Sequence, residues 1–147
     1  MSSQYVPDTD HLARRVSYTK QLRDAEDNLL GCMSAAFELR PDEKFLSATW
    51  LEFFVGKRHE QIAQSIVATA GGSKLPKSTA FAIGNVKKIK KACEIGGVRI
   101  RVINEPDGNN LAHVALKHWP RDEQELLAII AGDAWSETVL AKDFVPA

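Results

Sequence analysis

With 147 residues, the chain is long enough to bury one core and too short for two of ordinary size. Its 44% hydrophobic and 26% charged content is that of an ordinary globular domain and not of a disordered chain, and 19 Lys/Arg against 19 Asp/Glu give a formal net charge of zero. No apolar run approaches the ~18 to 20 residues of a membrane helix.

The N-terminal stretch MSSQYVPDTDHLARR lacks the apolar core of a secretory signal, and residues 1–10 are expected to be flexible. The rest of the first forty residues reads as irregular, with a few short elements and no long helix. RDAEDNLLG is an acidic turn there, and SAAF (34–37) is small and apolar enough to be buried. KFLSATWLEFFV (44–55) suits a strand beginning near Phe45, although a run this short also fits a buried helix. From Arg58 to Ala70, Ile62, Ala63, Ile66, Val67 and Ala70 recur at three- and four-residue spacing, which predicts a helix stopped by Gly71 and Gly72.

GGSKLPKST (71–79) is a loop, after which Asn85 is placed to cap a helix running to about Ile95, with Gly96 and Gly97 ending it. Val86, Ile89, Ala92 and Cys93 share one side of that helix, and Lys87, Lys88, Lys90 and Lys91 spread over the other. VRIRVI (98–103) alternates, placing Val98, Ile100 and Val102 inward and Arg99 and Arg101 outward. NEPDGNN is a connector, and LAHVALKHW returns as a second strand of a hairpin. Pro120 and RDEQELL open a last helix whose apolar side takes in Leu126, Leu127, Ile130, Ala131, Ala134, Trp135, Thr138 and Val139. The expected fold is α+β: one domain over 1–147, with about three helices packed on a small, mainly antiparallel sheet.

The neutral total conceals asymmetry. Residues 71–101 hold eight Lys/Arg against Glu94 alone, a net +7, whereas residues 102–147 carry −5 and residues 1–70 carry −2. The segment 74–101, with Lys87, Lys88, Lys90, Lys91, Arg99 and Arg101, is therefore the candidate binding surface. An acidic protein surface or a second copy of the chain is the expected partner. Nucleic acid is the alternative, although no aromatic residues interleave the cations to stack bases.

Catalytic candidates are few. No Cys/His spacing suits a metal, no glycine-rich loop has phosphate-binding order, and no Gly-x-Ser-x-Gly is present, so neither metal nor cofactor is expected. His113 in LAHVAL is read first as a hydrogen-bonded core residue and second as a catalyst, and His118 falls on the opposite face of the strand. Arg14, Ser47 and a distant glutamate, Glu52 or Glu137, resemble the skeleton of ADP-ribosyltransferase-like folds. That resemblance implies NAD as substrate, with Arg14 on its phosphates, Ser47 ordering the pocket and the glutamate polarising the ribose. Such an enzyme would show a concave pocket on which His113, or Arg14 with Ser47, converges.

The order RDAEDNLLG, SAAF, FLS and then PDGNNLAHVAL resembles a group of small bacterial proteins in which these short motifs recur. The resemblance spans residues 12–50 and 98–118. It implies a bacterial source without a particular activity, and directs attention to Asp27, Asn28, Ser34, Phe37, Ser47 and His113. The lysine-rich helix and the acidic C-terminal helix depart from it. The expected role is that of a small cytoplasmic accessory protein that binds another protein, with the enzyme and nucleic-acid readings as alternatives.

Overall fold

In the computed structural model, which describes residues 4–145, three helices pack on a seven-stranded antiparallel sheet, with a separate two-stranded hairpin alongside. The α+β class read from the sequence is thus the observed one. The strands are β1 (Gln4–Tyr5), β2 (His11–Val16), β3 (Gln21–Arg23), β4 (Leu29–Cys32), β5 (Phe45–Trp50), β6 (Ala80–Asn85), β7 (Arg101–Asn104), β8 (His113–Lys117) and β9 (Glu137–Leu140). The helices are α1 (Arg58–Ala70), α2 (Val86–Ile95) and α3 (Gln124–Asp133). The large sheet runs β1-β7-β8-β5-β2-β6-β9, and β3 pairs with β4.

Period-two alternation gives the sheet two different faces. One carries Leu12, Val16, Leu46, Ala48, Ala82, Val102, Val114 and Leu116, packed under α2, α3, Phe37 and Trp135. The other carries Ala13, Phe81 and Ile83, packed under Ile62 and Ile66 of α1. α1 packs on β2 and the adjoining end of β5 and makes at most marginal contact with β8. That incomplete cover leaves room for a cleft.

The start of α2 and the ends of α1 and α2 are those read from the sequence. Asn85 Oδ1 accepts the Lys88 N–H at 3.1 Å, satisfying a first-turn donor of α2. Gly71 closes α1 at φ 57°, in the left-handed region that favours glycine. Of residues 1–10, for which flexibility was expected, residues 1–3 lie outside the described residues, and residues 4–10 hold β1 and then cap α2. The carbonyls of Asp10 and Asp8 accept the Val86 and Lys87 N–H groups at 2.9 and 3.1 Å, and Val6 is buried.

Three expectations need correction. The last helix ends at Asp133, and Thr138 and Val139 belong to β9, paired with β6. Without β9 the fully buried β6 would lie at the sheet edge with unpaired N–H and C=O groups, so pairing outweighs continuation of a helix already weakened by Gly132. β7 begins only at Arg101, and its Ile103 is buried on the opposite face from Val102, so a half-buried alternation is replaced by burial on both faces. β6 itself was not anticipated: AFAIG shows no alternation because both of its faces are covered. Gly84 lets this strand pass close to the next layer, since a Cβ there would lie 2.9 Å from the Ala134 carbonyl oxygen.

Candidate active site

Where α1 stops short of β8, a polar cleft of about 440 Å³ opens on the α1 face of the sheet. β2 contributes Arg15, β5 contributes Ser47 and Thr49, β8 contributes His113, and the 105–112 connector contributes Asn110. β2 and β5 pair only at Leu12–Trp50 and Ala13–Thr49. Beyond that short ladder Arg15 and Ser47 reach the cleft from the two separate strands.

His113 is held at both ring nitrogens. Nδ1 lies 2.9 Å from the Glu105 carbonyl oxygen, and Nε2 lies 3.1 Å from Ser47 Oγ. A carbonyl only accepts, so in the neutral ring the proton sits on Nδ1 and Nε2 presents its lone pair to the serine hydroxyl. This is the arrangement of a nucleophile beside an oriented base, with a backbone carbonyl as the orienting group. Glu105 is fixed in turn: its N–H donates to the His113 carbonyl at 2.9 Å, and its carboxylate meets Lys117 Nζ at 2.6 Å. The buried Asn104 donates to the carbonyls of Leu111 and His113, tying the connector to the strand. Phe45 stands edge-on to the imidazole with ring centroids 6.0 Å apart.

A directed chain of hydrogen bonds makes the opposite wall. Thr69 Oγ1 donates to the Ser65 carbonyl at 2.7 Å, which leaves its oxygen to accept from Thr49 Oγ1 at 3.2 Å. Asn110 Nδ2 then donates to Thr49 Oγ1 at 2.9 Å. The connector, β5 and α1 are thereby locked together around the cleft. Thr69, Asn110 and the Glu105 carbonyl escaped sequence reading, because only the pairing of β5 with β8 and the placement of α1 bring them together.

The sequence candidates separate clearly. Ser47 and His113 meet; Arg14 does not join them. It alternates with Leu12 and Val16 onto the other face, where Nε donates to the Ala36 carbonyl at 2.8 Å and a terminal nitrogen donates to the Ser47 carbonyl at 2.7 Å. Burial pushes its guanidinium down to about 10, partly offset by Glu43, so it stays cationic at neutral pH as an internal brace. Glu52 is bound to His11 and Arg58, and Glu137 lies exposed on β9, so the arginine–serine–glutamate trio is not assembled. Burial disfavours the thiolate of both cysteines, raising Cys32 and pushing Cys93 up to about 12.

The basic segment divides. Lys87, Lys88 and Lys91 are exposed on α2, but Lys90 Nζ is paired with Asp8 at 2.7 Å. Arg99 shares a shallow depression with Lys90 and Glu94. Arg101 is on the opposite face of the sheet, stacked over Tyr5 at 5.4 Å. The acidic α3 packs beside α2, so the oppositely charged segments are neighbours within one molecule. His118, at φ 64°, is exposed beyond the end of β8. Asp27, at φ 65°, and Asn28 form the turn read for them.

A second polar cluster joins β2 to α1. His11 donates its N–H to Glu52 Oε1 at 2.8 Å and its ring Nδ1–H to Oε2 at 2.6 Å, while Arg58 donates to Oε2 at 3.0 Å. Burial pushes the Glu52 carboxyl up, yet the His11 and Arg58 hydrogen bonds together outweigh it and hold the group below the usual value. A depressed folded-state pKa contributes stability above the unfolded pKa and loses it as pH falls through the folded one. Glu52→Gln is therefore expected to flatten the acid side of the melting-temperature profile, measured by calorimetry from neutral to acid pH.

Among the described residues no helix is long and apolar enough to cross a membrane, and no group of three metal-ligating side chains converges. No protein-family model, curated protein or solved structure matches the chain.

Proposed function

We propose that the chain is a hydrolase for a small anionic ester, with Ser47 as nucleophile, His113 as general base and Arg15 receiving the substrate's negative charge. What carries this is the His113 ring, fixed between the Glu105 carbonyl and the Ser47 hydroxyl beside an open polar cleft. Ser47 Oγ attacks the acyl carbon as its proton passes to His113 Nε2. The imidazolium returns that proton to the leaving alkoxide oxygen, and the alcohol departs. Water, deprotonated by the same nitrogen, then attacks the acyl-serine, releasing the acid and restoring Ser47. Arg15 is exposed in the same cleft and has no ion-pair partner among the described residues. It is thus free to meet the substrate's anionic group.

A serine-directed fluorophosphonate followed by peptide mass spectrometry tests this directly. An adduct on Ser47 that forms far more slowly in His113→Ala supports the assignment. A folded protein left unmodified at Ser47 by saturating probe overturns it.

A second reading draws on α2. Lys87, Lys88 and Lys91 are exposed without a carboxylate in ion-pair range among the described residues, which suits docking of an acidic protein surface. Pull-down at low salt is expected to recover an acidic partner that the triple Lys→Ser variant loses. Equal recovery by that variant would remove this face from consideration. The two free, buried thiols favour the cytoplasm, where they stay reduced.

A further inference from the structure

Across the last turn of α1 from the Ser47 cleft lies a second concavity, of about 250 Å³. The two share Ala70 and Ser73. Its walls are apolar: Ile66 and Val67 from α1, Leu75 and Pro76 from the loop, and Val145 from the C-terminal segment. Lys74, Lys77 and Lys142 also line it, and no Asp or Glu among the described residues does. All three lysines are exposed, and none forms an ion pair among the described residues. Val67 is 58% exposed although it lies within a helix whose neighbouring Ile66 is buried.

An apolar hollow with cations around it and no acid suits a ligand that is apolar at one end and anionic at the other. Burying an alkyl tail there removes Val67 and Leu75 from water, while an anionic head pairs with the lysines without being desolvated. A sugar would find donors only from Ser73 and the three lysines, and no side-chain carboxylate or amide among the described lining residues to pair its hydroxyls. The volume is also below the ~300 Å³ of the smaller drug-sized sites, which limits the length of the tail. We propose that this pocket binds a free medium-chain fatty acid, its tail against Ile66, Val67, Leu75 and Val145 and its carboxylate among Lys74, Lys77 and Lys142. The site does not depend on Ser47 chemistry, since it is a binding site with its own readout.

Titration of the full chain with sodium octanoate, followed by calorimetry and by amide chemical shifts, tests the proposal. Saturable binding is expected, with shifts concentrated in residues 66–77 and 141–145. Octanol, which has the same tail without the charge, is expected to bind more weakly. Lys74→Ser/Lys77→Ser/Lys142→Ser removes only exposed side chains and is expected to weaken octanoate by about tenfold, as three modest ion pairs would. Val67→Glu, also at an exposed position, is expected to weaken it as well by placing like charge at the mouth. Absence of saturable binding, octanol binding as well as octanoate, or wild-type affinity in both variants would each overturn the proposal. A chain that binds octanoate but leaves Ser47 unreactive would refute the hydrolase alone.

Discussion

Ser47→Ala is expected to abolish hydrolysis of small anionic esters, and His113→Ala to lower kcat/KM by ~100- to 10,000-fold, the usual contribution of a positioned general base. Both follow from the 3.1 Å contact between His113 Nε2 and Ser47 Oγ. Because Nδ1 is satisfied by a backbone carbonyl at 2.9 Å, no carboxylate is required as a third member. Glu105→Gln is therefore expected to lose only the ion pair to Lys117 and to keep activity within a few-fold, unlike the loss of a triad aspartate. Arg15→Ala should act mainly through KM, since its guanidinium meets charge already present in the substrate. Steady-state kinetics with a panel of anionic esters measures all four effects. Full activity in Ser47→Ala would remove the serine from the chemistry.

Phe37→Ala is expected to cost ~3–5 kcal/mol, the range for deleting a buried aromatic ring, from a total stability of ~5–15 kcal/mol. Phe37 is fully buried in the 34–37 turn and stacks on Trp135 with ring centroids 5.1 Å apart. Its carbonyl accepts the Trp119 indole N–H at 2.7 Å. The Trp135 indole nitrogen is itself buried without an acceptor among the described residues, so stacking rather than hydrogen bonding holds that ring. Removing Phe37 therefore leaves a cavity and frees the residue that joins α3 to β9. The preceding Ala36 carbonyl accepts from Arg14, which also holds the Ser47 carbonyl, so the loss should reach the cleft floor. Urea unfolding by tryptophan fluorescence measures the cost. A change below about 1 kcal/mol would mean that Phe37 does not support the core as its burial implies.

Features set by near neighbours were legible without the fold. α1 and α2 follow from apolar spacing over ten or more residues, and their ends from Gly71, Asn85 and Gly96, because caps and periodicity act within a few residues. The β7–β8 hairpin is similarly local. β6 and β9 were not legible. β6 is buried on both faces and so lacks alternation, and β9 becomes a strand because β6 offers it an open edge. Neither condition exists until the sheet is assembled.

The chain's own residues determined the α+β class, the three helices, the charge imbalance and the interest of Ser47 and His113 as separate positions. Only tertiary structure decided which of them act together. Ser47 and His113 are 66 residues apart and meet through the antiparallel register of β5 and β8, which pairs Ser47 with Ala115 and Thr49 with His113. Arg14 and Arg15 are adjacent in sequence, yet strand alternation sends the first into the core side and the second into the cleft. The lysines of α2 and Arg101, which the sequence grouped as one basic segment, end on opposite sides of the sheet for the same reason. Composition and spacing record which groups are present. Strand register and facing, fixed by contacts between residues far apart in the chain, determine which of those groups share a site.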